Sequence, residues 1–290
     1  MANTIALAKN YTSILDEVYK KASVTADLTS DNSMVKAGAN ANEIVYPQVS
    51  VSGLGDYDRN SGYTNGSVNL VWKTATFNYD RGTKISVDVM DNEESRDIAF
   101  TMAGSELMRT KVAPEADAFV FATLAGIQGI SKAPDGAFAD AESFLAALIE
   151  AKNKMDEDEV PEEGRILYAT PTLLNGVMAL DTTKSREVLA TFSKTVKVPQ
   201  SRFYTAIDLL DGKSNGEEAG HYTKASTGKD INFMIVHKPA VIKFDKHTAS
   251  DIIPASANPD ADADISKYRK YGIVDVFKNK VAGIYLSHKA

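Results

Sequence analysis

The stretch Glu43–Tyr79, EIVYPQVSVSGLGDYDRNSGYTNGSVNLVWKTATFNY, decides the fold of this chain. Its two ends, Ile44–Val51 and Val68–Tyr79, are rich in β-branched and aromatic residues, a composition that favours strands. Between them, Gly53–Gly66 contains four glycines together with Asp, Asn and Ser, which is typical of turns. The stretch therefore predicts a long β-hairpin with a loose tip.

This hairpin needs a surface to cover. A lone two-stranded hairpin is marginal in water, and its apolar side chains, Trp72 among them, have to be buried somewhere. Two interpretations of Trp72 stay open at this point. It is either the leading anchor of a contact between two copies of the chain, or a core residue of its own subunit.

A long helix is predicted after the hairpin. A third β-like run, Lys84–Met90, precedes Asp91, which is a candidate N-cap with Glu94 in the capping-box position. Apolar residues then recur at helical spacing, at Ile98, Met102, Leu107 and Met108. Pro114 cannot continue the hydrogen-bond ladder, so the helix is predicted to kink or restart there. From Asp91 to Ala125 it would span roughly 50 Å at 1.5 Å per residue.

The remaining elements mix helices and strands. Helices are predicted to begin at Asp140 and Thr170, and strands are predicted at residues 165–169, 231–236 and 240–244. Residues 181–230 are interpreted as polar and rich in turns. A terminal hairpin is predicted from Ile273–Phe277 and Val281–Leu286. Because strands and helices do not alternate regularly, the predicted class is α+β.

Composition excludes several classes of protein. The chain has 290 residues, an apolar content of 43%, no cysteine and a net charge of −7, which suits one large or two small globular domains. It has no apolar run of about 18 residues, so we expect no transmembrane helix, and its first residues do not resemble a signal peptide. The negative charge argues against a protein that grips nucleic acid, because phosphate contacts require clustered Lys and Arg.

Catalytic and metal-binding motifs are missing or incomplete in the sequence. The four histidines, at 221, 237, 247 and 288, show no HExxH or other close metal pairing. The best metal candidates are Asp260, Asp262 and Asp264, whose alternation imitates an EF-hand loop, but Ile265 and Tyr271 stand where that loop needs Gly and Glu. A solvated acidic turn is favoured over a cation bound at an interface. We expect no catalytic residue and no cofactor.

Several segments together carry a family resemblance. They follow the hairpin in the order Asp91–Glu94, Val112–Phe119, Phe233–Val241, Asn258–Asp264, Tyr268–Val276 and Asn279–Leu286. In this order the chain resembles, over nearly its whole length, the major capsid proteins of tailed bacteriophages with the HK97 fold. The resemblance implies a coat protein, not an enzyme, whose copies assemble into the icosahedral head that encloses the double-stranded DNA of the phage.

The resemblance also implies a division into four regions. Residues 1–42 would form an N-terminal arm that crosses neighbouring subunits, and residues 43–90 an extended hairpin loop, the E-loop. Residues 91–139 and 241–267 would form a peripheral domain with the spine helix, and residues 140–240 and 268–290 an axial domain. The alternative for residues 1–42 is an ordinary helix and loop docked on its own domain.

Contacts between copies are expected on the arm and on the hairpin. The candidate residues are Leu7, Tyr11, Tyr57, Arg59, Tyr63, Leu70 and Trp72. The implied partners are copies of the chain in pentamers and hexamers, a portal, and a separate scaffolding protein. A separate scaffolding protein is favoured over a chain already trimmed of its scaffolding extension, because Met1 resembles a natural start. DNA would be enclosed without sequence-specific binding, and no membrane is involved. The protein would lie in the virion after assembly in the cytoplasm of the host bacterium.

The resemblance leaves two further points. Some relatives are cross-linked through a lysine on the hairpin and an asparagine on the adjacent subunit. Here Lys73 and Lys84 lie away from the tip, so we predict a non-covalent shell. Two rivals also stay open, namely an encapsulin-like compartment shell that shares the fold and encloses cargo enzymes, and an unrelated soluble enzyme that forms a small oligomer with a ligand pocket.

Overall fold

The computed structural model describes residues 22–30, 36–37, 42–94, 98–133 and 136–290. The contact candidates Leu7 and Tyr11, and most of the predicted N-terminal arm, lie outside these ranges. None of the helices within the ranges is long and apolar enough to cross a membrane.

The strands of the described residues are numbered in chain order. They are β1 (Lys36–Ala37), β2 (Glu43–Val51), β3 (Val68–Thr76), β4 (Tyr79–Asp88), β5 (Ser131–Ala133), β6 (Arg165–Ala169), β7 (Lys194–Lys197), β8 (Ile207–Leu209), β9 (Tyr222–Lys224), β10 (Ile231–His237), β11 (Val241–Ile253), β12 (Ala263–Val276) and β13 (Ile284–His288).

The helices are numbered in the same way. They are α1 (Val89–Glu94), α2 (Ile98–Leu107), α3 (Ala113–Gly126), α4 (Ala141–Glu157), α5 (Pro171–Leu180) and α6 (Thr183–Ala190). The predicted starts of α4 and α5 are confirmed, and Asp140 caps α4 by accepting the backbone N–H of Ser143. The prediction missed α6, which lies in the polar segment 181–230 and begins with a capping box between Thr182 and Ser185.

The predicted hairpin is confirmed. Strands β2 and β3 pair antiparallel without a register shift, from Glu43 opposite Thr76 to Val51 opposite Val68. The loop between them is closed near its end by a bridge between Asp58 and Gly62. The short strand β1 adds to the outer side of β2 at its base.

The long helical region starts earlier than predicted, whereas the predicted restart at Pro114 is confirmed. It begins at Val89, so Asp91 lies in the first turn, and the side chain of Asp88 accepts the N–H of Met90 instead. Before Pro114 the helix widens into a π-helical segment, Met108–Val112, and α3 then starts with the proline in its first turn. A π-helical turn leaves some backbone groups without their usual hydrogen-bond partner. Proline, which has no N–H to donate, fits directly after such a turn.

A five-stranded sheet forms the core of the molecule, in the order β5-β13-β10-β6-β7. On one face, Phe121 and Leu124 of α3 pack against side chains of β6 and β10, and on the other, Phe144 and Leu148 of α4 do so. Every residue of β6 and β10 is therefore buried. Coverage of both faces explains why β10 is apolar along its length and does not alternate.

A second, three-stranded sheet has the order β11-β12-β4. The predicted terminal hairpin is wrong, because β12 pairs with β11 and β4 whereas β13 belongs to the five-stranded sheet. Strand β11 also extends to Ile253, well beyond Phe244, through exposed polar residues that gave no strand signal. The predicted division into domains stays a prediction, although its boundary between residues 267 and 268 lies inside the continuous strand β12.

Candidate functional site: the exposed hairpin

Exposed apolar side chains concentrate on the hairpin. Of the eleven large hydrophobic residues that are exposed among the described residues, nine lie between Val49 and Trp72, and the other two are Met90 and Met178. Scattered exposed hydrophobics are normal on a protein surface, but a contiguous set marks an interaction site. The hairpin is therefore the leading candidate for a functional surface.

Most of the apolar residues on the paired strands of the outer hairpin share one face, and Val71 is the exception. Side chains alternate along a strand, and residues directly opposite each other on paired strands lie on the same face. Three such pairs, Pro47–Trp72, Val49–Leu70 and Val51–Val68, are apolar throughout. The opposite face carries the pairs Gln48–Val71 and Ser50–Asn69. We call the first set, Pro47, Val49, Val51, Val68, Leu70 and Trp72, the apolar face.

The base of the hairpin buries the other face. Ile44, Tyr46 and Ala75 are almost fully buried against Ile242 and Ile273 of the second sheet. The side chain of Asn78 also exchanges hydrogen bonds with the backbone N–H and carbonyl of Val274. In the base of the hairpin the apolar side chains lie on the face that packs against the second sheet. From Pro47 outward they lie on the other face, which points away from that sheet.

The tip carries two aromatic rings. Tyr57 and Tyr63 contact edge to face at a centroid distance of 4.8 Å, and both are exposed. Asp58 accepts the backbone N–H groups of Ser61 and Asn60, and these hydrogen bonds lower the pKa of its carboxyl. The tip is thus an ordered turn that presents aromatic side chains.

The predicted contact residues occupy this surface. Tyr57, Arg59, Tyr63 and Leu70 are exposed, and Trp72 has 45% of its surface exposed. Trp72 and Leu70 lie on the apolar face, and the other three lie at the tip. Their role in contacts between copies remains a prediction, as does that of Leu7 and Tyr11.

The metal candidates do not form a cluster. The described residues contain no group of three or more acidic, His or Cys side chains arranged to hold a metal ion. Asp264, on β12, instead accepts the N–H of Ala255 in the turn between β11 and β12.

Two lysines were considered for cross-linking. Lys73 on β3 lies opposite Tyr46, near the base of the hairpin, and Lys84 on β4 lies opposite Lys267 of β12. The non-covalent shell remains a prediction.

Residues 22–30 are bound to the body of their own chain by a buried carboxylate that sequence reasoning missed. Asp117 of α3 is fully buried and accepts hydrogen bonds from the hydroxyls of Ser23 and Thr25 and from the N–H groups of Val24 and Thr25, at 2.7–3.1 Å. Nη1 of Arg202 also donates to the Asp117 carboxylate, at 3.1 Å.

A buried lysine holds the same segment from the other side. The ammonium of Lys243 donates to the carbonyl oxygen of Thr25 at 2.6 Å. The backbone of Ser30 then pairs with the edge of β11 at Lys243. We call Asp117 and Lys243 the clasp. Residues 22–30 therefore dock on their own subunit, and the interpretation of residues 1–42 as an arm stays a prediction.

Comparison with known proteins places this geometry in a known fold. No protein-family model and no curated protein matches the chain. The capsid of the cyanophage P-SCSP1u is similar over 93% of this chain and 88% of that one, with 15% identity and a TM-score of 0.60. A virus-like particle from Pyrococcus furiosus is similar over 97% and 99%, with 11% identity and a TM-score of 0.59.

A structure from Mycobacterium phage Che8 is similar over 92% of this chain and 91% of that one, with 13% identity and a TM-score of 0.58. A likeness at these identities concerns the fold. The chain therefore has the fold of phage capsid proteins, a mixture of α and β structure, and the resemblance seen in its sequence is confirmed at that level.

Proposed function

We propose that this chain is the major capsid protein of a tailed phage, which self-assembles into the icosahedral head around double-stranded DNA. The observation that carries the proposal is the apolar face of the outer hairpin, which is exposed although the base of the same hairpin is buried. The shared fold with phage capsids supports it.

The apolar face would be buried against a second copy of the chain. Burial of a large aliphatic or aromatic side chain is worth about 1.5–3 kcal/mol, so the six residues would supply on the order of 10 kcal/mol before the cost of association. One such contact is modest, but each subunit of a closed shell engages several neighbours at once. Weak individual contacts also let misplaced subunits leave, so a shell can form without covalent links.

The proposal includes the partners and the location. Copies of the chain would form the pentamers and hexamers of the head, with a portal and a separate scaffolding protein. The net charge of −7 suits a wall that encloses DNA without holding it. The protein would be assembled in the cytoplasm of the host bacterium and would lie in the virion. Its role would be structural, with a peripheral domain around α3 and an axial domain built on the five-stranded sheet.

An encapsulin-like compartment shell is the second candidate. The match to the Pyrococcus furiosus virus-like particle, which extends over 97% of this chain, keeps this candidate open, because that structure is described as a particle and not as a phage. Both candidates use the same contact between copies and differ in what the particle contains. Nucleic acid inside purified particles would support the capsid, whereas an enclosed protein would support the compartment.

Neighbouring residues of β3 provide a matched test of the contact. Leu70 lies on the apolar face and Asn69 on the opposite face, and both are exposed. Leu70→Asp should leave a folded, soluble subunit that fails to form particles, because a charge would have to be desolvated in the contact. Asn69→Asp introduces the same charge and should still assemble.

Negative-stain microscopy, size-exclusion chromatography and circular dichroism measure the outcome. Particles formed by Leu70→Asp at the yield of the parent chain would contradict the proposal, and so would a parent chain that stays monomeric at high concentration.

A further inference from the structure

Strand β3 has a free edge. The sheet order β1-β2-β3 leaves one side of β3 without a paired strand among the described residues. Seven of its nine residues are exposed, whereas Lys73 is partly buried and Ala75 is buried. An edge strand presents a row of backbone N–H and C=O groups, which is a template for a further strand. The free edge of β3 is therefore open to a partner along most of its length.

Natural proteins protect such edges, and the other edges in the described part of the chain are protected or short. Strand β11 has a register shift between Asp245 and His247. Strand β4 contains a glycine and four charged residues among its ten. Strand β2 has Pro47, which has no N–H to donate, just beyond the part that β1 covers. Strands β5 and β7 are three and four residues long. Each of these edges is thus a poor template for another chain.

Strand β3 lacks these devices. Its nine residues contain no proline and no glycine, and Lys73 is their one charged residue. It also pairs with β2 over its full length without a register shift. A long, apolar edge without protection readily pairs with another chain. We expect such an edge to have a strand as its partner in the assembled state.

The partner with the matching property is β3 of a second copy. Among the edges that the structure describes, it is the one that is equally long and equally unprotected. Two-fold contacts between identical surfaces are also the commonest kind in oligomers. We propose that the free edge of β3 pairs antiparallel with β3 of a second copy, across a two-fold axis perpendicular to the sheet. This inference rests on the proposed function and names the neighbour that the hairpin contacts.

The faces of the two hairpins match in this arrangement. A two-fold axis perpendicular to the sheet keeps each side chain on the same face in both copies, and residues opposite each other on paired strands share a face. The apolar faces of the two copies, each with Val49, Val68 and Leu70, therefore merge into one surface on one side. Backbone pairing thus adds to the burial of the apolar face and does not compete with it.

The charge and burial of β3 restrict the position of the axis. An axis at Lys73 would set two ammonium groups opposite each other, which is destabilising. Any axis beyond Val71 would draw Ala75, which is buried in its own subunit, into the pairing. An axis at Val68 would leave few residues paired. The axis is therefore expected at Leu70 or Val71, where Lys73 lies opposite a neutral residue.

A cysteine scan tests the pairing, since the chain contains no cysteine. The variants are Asn69→Cys, Leu70→Cys and Val71→Cys, made one at a time in the full chain. A residue on the axis lies opposite its own copy, with Cα atoms about 4.5–5.5 Å apart, which is within the range of a disulfide. Particles are treated with a mild oxidant, and the disulfide-linked dimer is measured on gels without reductant.

Val49→Cys is the matched control. Val49 lies directly opposite Leu70 on the same face, but on β2, away from the paired edge. In the paired arrangement it would lie about 14 Å from its copy, which is three strand spacings. This variant should therefore not form the disulfide.

Either Leu70→Cys or Val71→Cys should give at least about fivefold more linked dimer than Asn69→Cys and Val49→Cys, because a cysteine one position from the axis lies about 8 Å from its copy. Equal linking of Val49→Cys and Leu70→Cys would indicate packing between faces without strand pairing and would overturn the proposal. The absence of a linked dimer in all of the variants would overturn it as well.

A second reagent covers a variant that does not fold. If circular dichroism shows that Leu70→Cys is unfolded, a bismaleimide that spans about 8 Å replaces the oxidant. Val71→Cys should then link at least as well as Asn69→Cys and well above Val49→Cys, and no linking overturns the pairing. A parent chain that forms no particles refutes the proposed function, whereas particles without a linked dimer refute the strand pairing alone.

Discussion

Strands β3 and β10 are both rich in large apolar residues, yet their surroundings are opposite. All seven residues of β10 are buried, between β6 and β13 and under helices on both faces, whereas Ala75 is the single buried residue of β3. Strand β3 is at the edge of its sheet, with β2 as its paired neighbour. The difference teaches that an apolar strand predicts burial but does not predict which surface provides it.

The largest expected effect separates the two strands directly. Phe233 of β10 is fully buried among Phe144, Phe138 and Tyr285. Phe233→Ala should lower the free energy of unfolding by about 3–5 kcal/mol, because it leaves a cavity. Trp72→Ala on β3 should lower it by about 1 kcal/mol or less, since the ring is half exposed, and should impair particle formation instead.

Urea denaturation of the unassembled chain measures both variants. An equal loss of stability for Trp72→Ala and Phe233→Ala would break the comparison and place Trp72 in the core of its own subunit.

A second prediction tests how strongly residues 22–30 are held on the body of the subunit, in contrast to the projecting outer hairpin. Asp117→Asn keeps the size of the side chain but removes the charge opposite Arg202 and replaces an acceptor by a donor. Donors of residues 23–25 would then be left unpaired, so stability should fall by about 3 kcal/mol. The control is Asp181→Asn, an exposed carboxylate paired with Arg186, which should cost less than about 1 kcal/mol.

Urea denaturation of both variants checks the size of the two losses. A loss for Asp117→Asn as small as that of the control would show that residues 22–30 contribute little to the body.

The smallest expected effect concerns pH and the clasp. Burial, with a further contribution from Lys270, lowers the pKa of Lys243 to about 8. The unfolded chain keeps this proton up to about pH 10. Between about pH 8 and about pH 10 the unfolded chain therefore binds more protons than the folded chain, so the free energy of unfolding should rise with pH in this range. Lys243→Met should remove this part of the rise, whereas Lys84→Met, at an exposed position, should keep it.

Denaturation midpoints at about pH 7.5 and about pH 9.5 measure the rise. An unchanged rise in Lys243→Met would mean that the buried lysine is not its source.

Local signals in the sequence predicted much of the fold. The hairpin, the capped start of α4, the proline start of α5 and the buried strand β6 all follow from turn residues, caps and apolar runs that act within a few positions. The misses have a common cause. The outer part of β11 and helix α6 are polar, and they are fixed by pairing and capping that composition does not reveal.

The candidate site was predicted in its residues but not in its orientation. Alternation in β2 and β3 indicates two faces, but not that Ile44 and Tyr46 are buried on one face while Val49 and Leu70 are exposed on the other.

By itself, the sequence determined the class of structure, the hairpin with its glycine-rich tip, the long helix and the likeness to capsid proteins. The tertiary structure alone decided where the apolar face points, that Asp117 and Lys243 hold the segment before the hairpin, and that β12 and β13 belong to different sheets. The physical reason is range. Backbone propensity and side-chain period act between neighbours, whereas the choice of face and partner depends on packing between residues that are far apart in the chain.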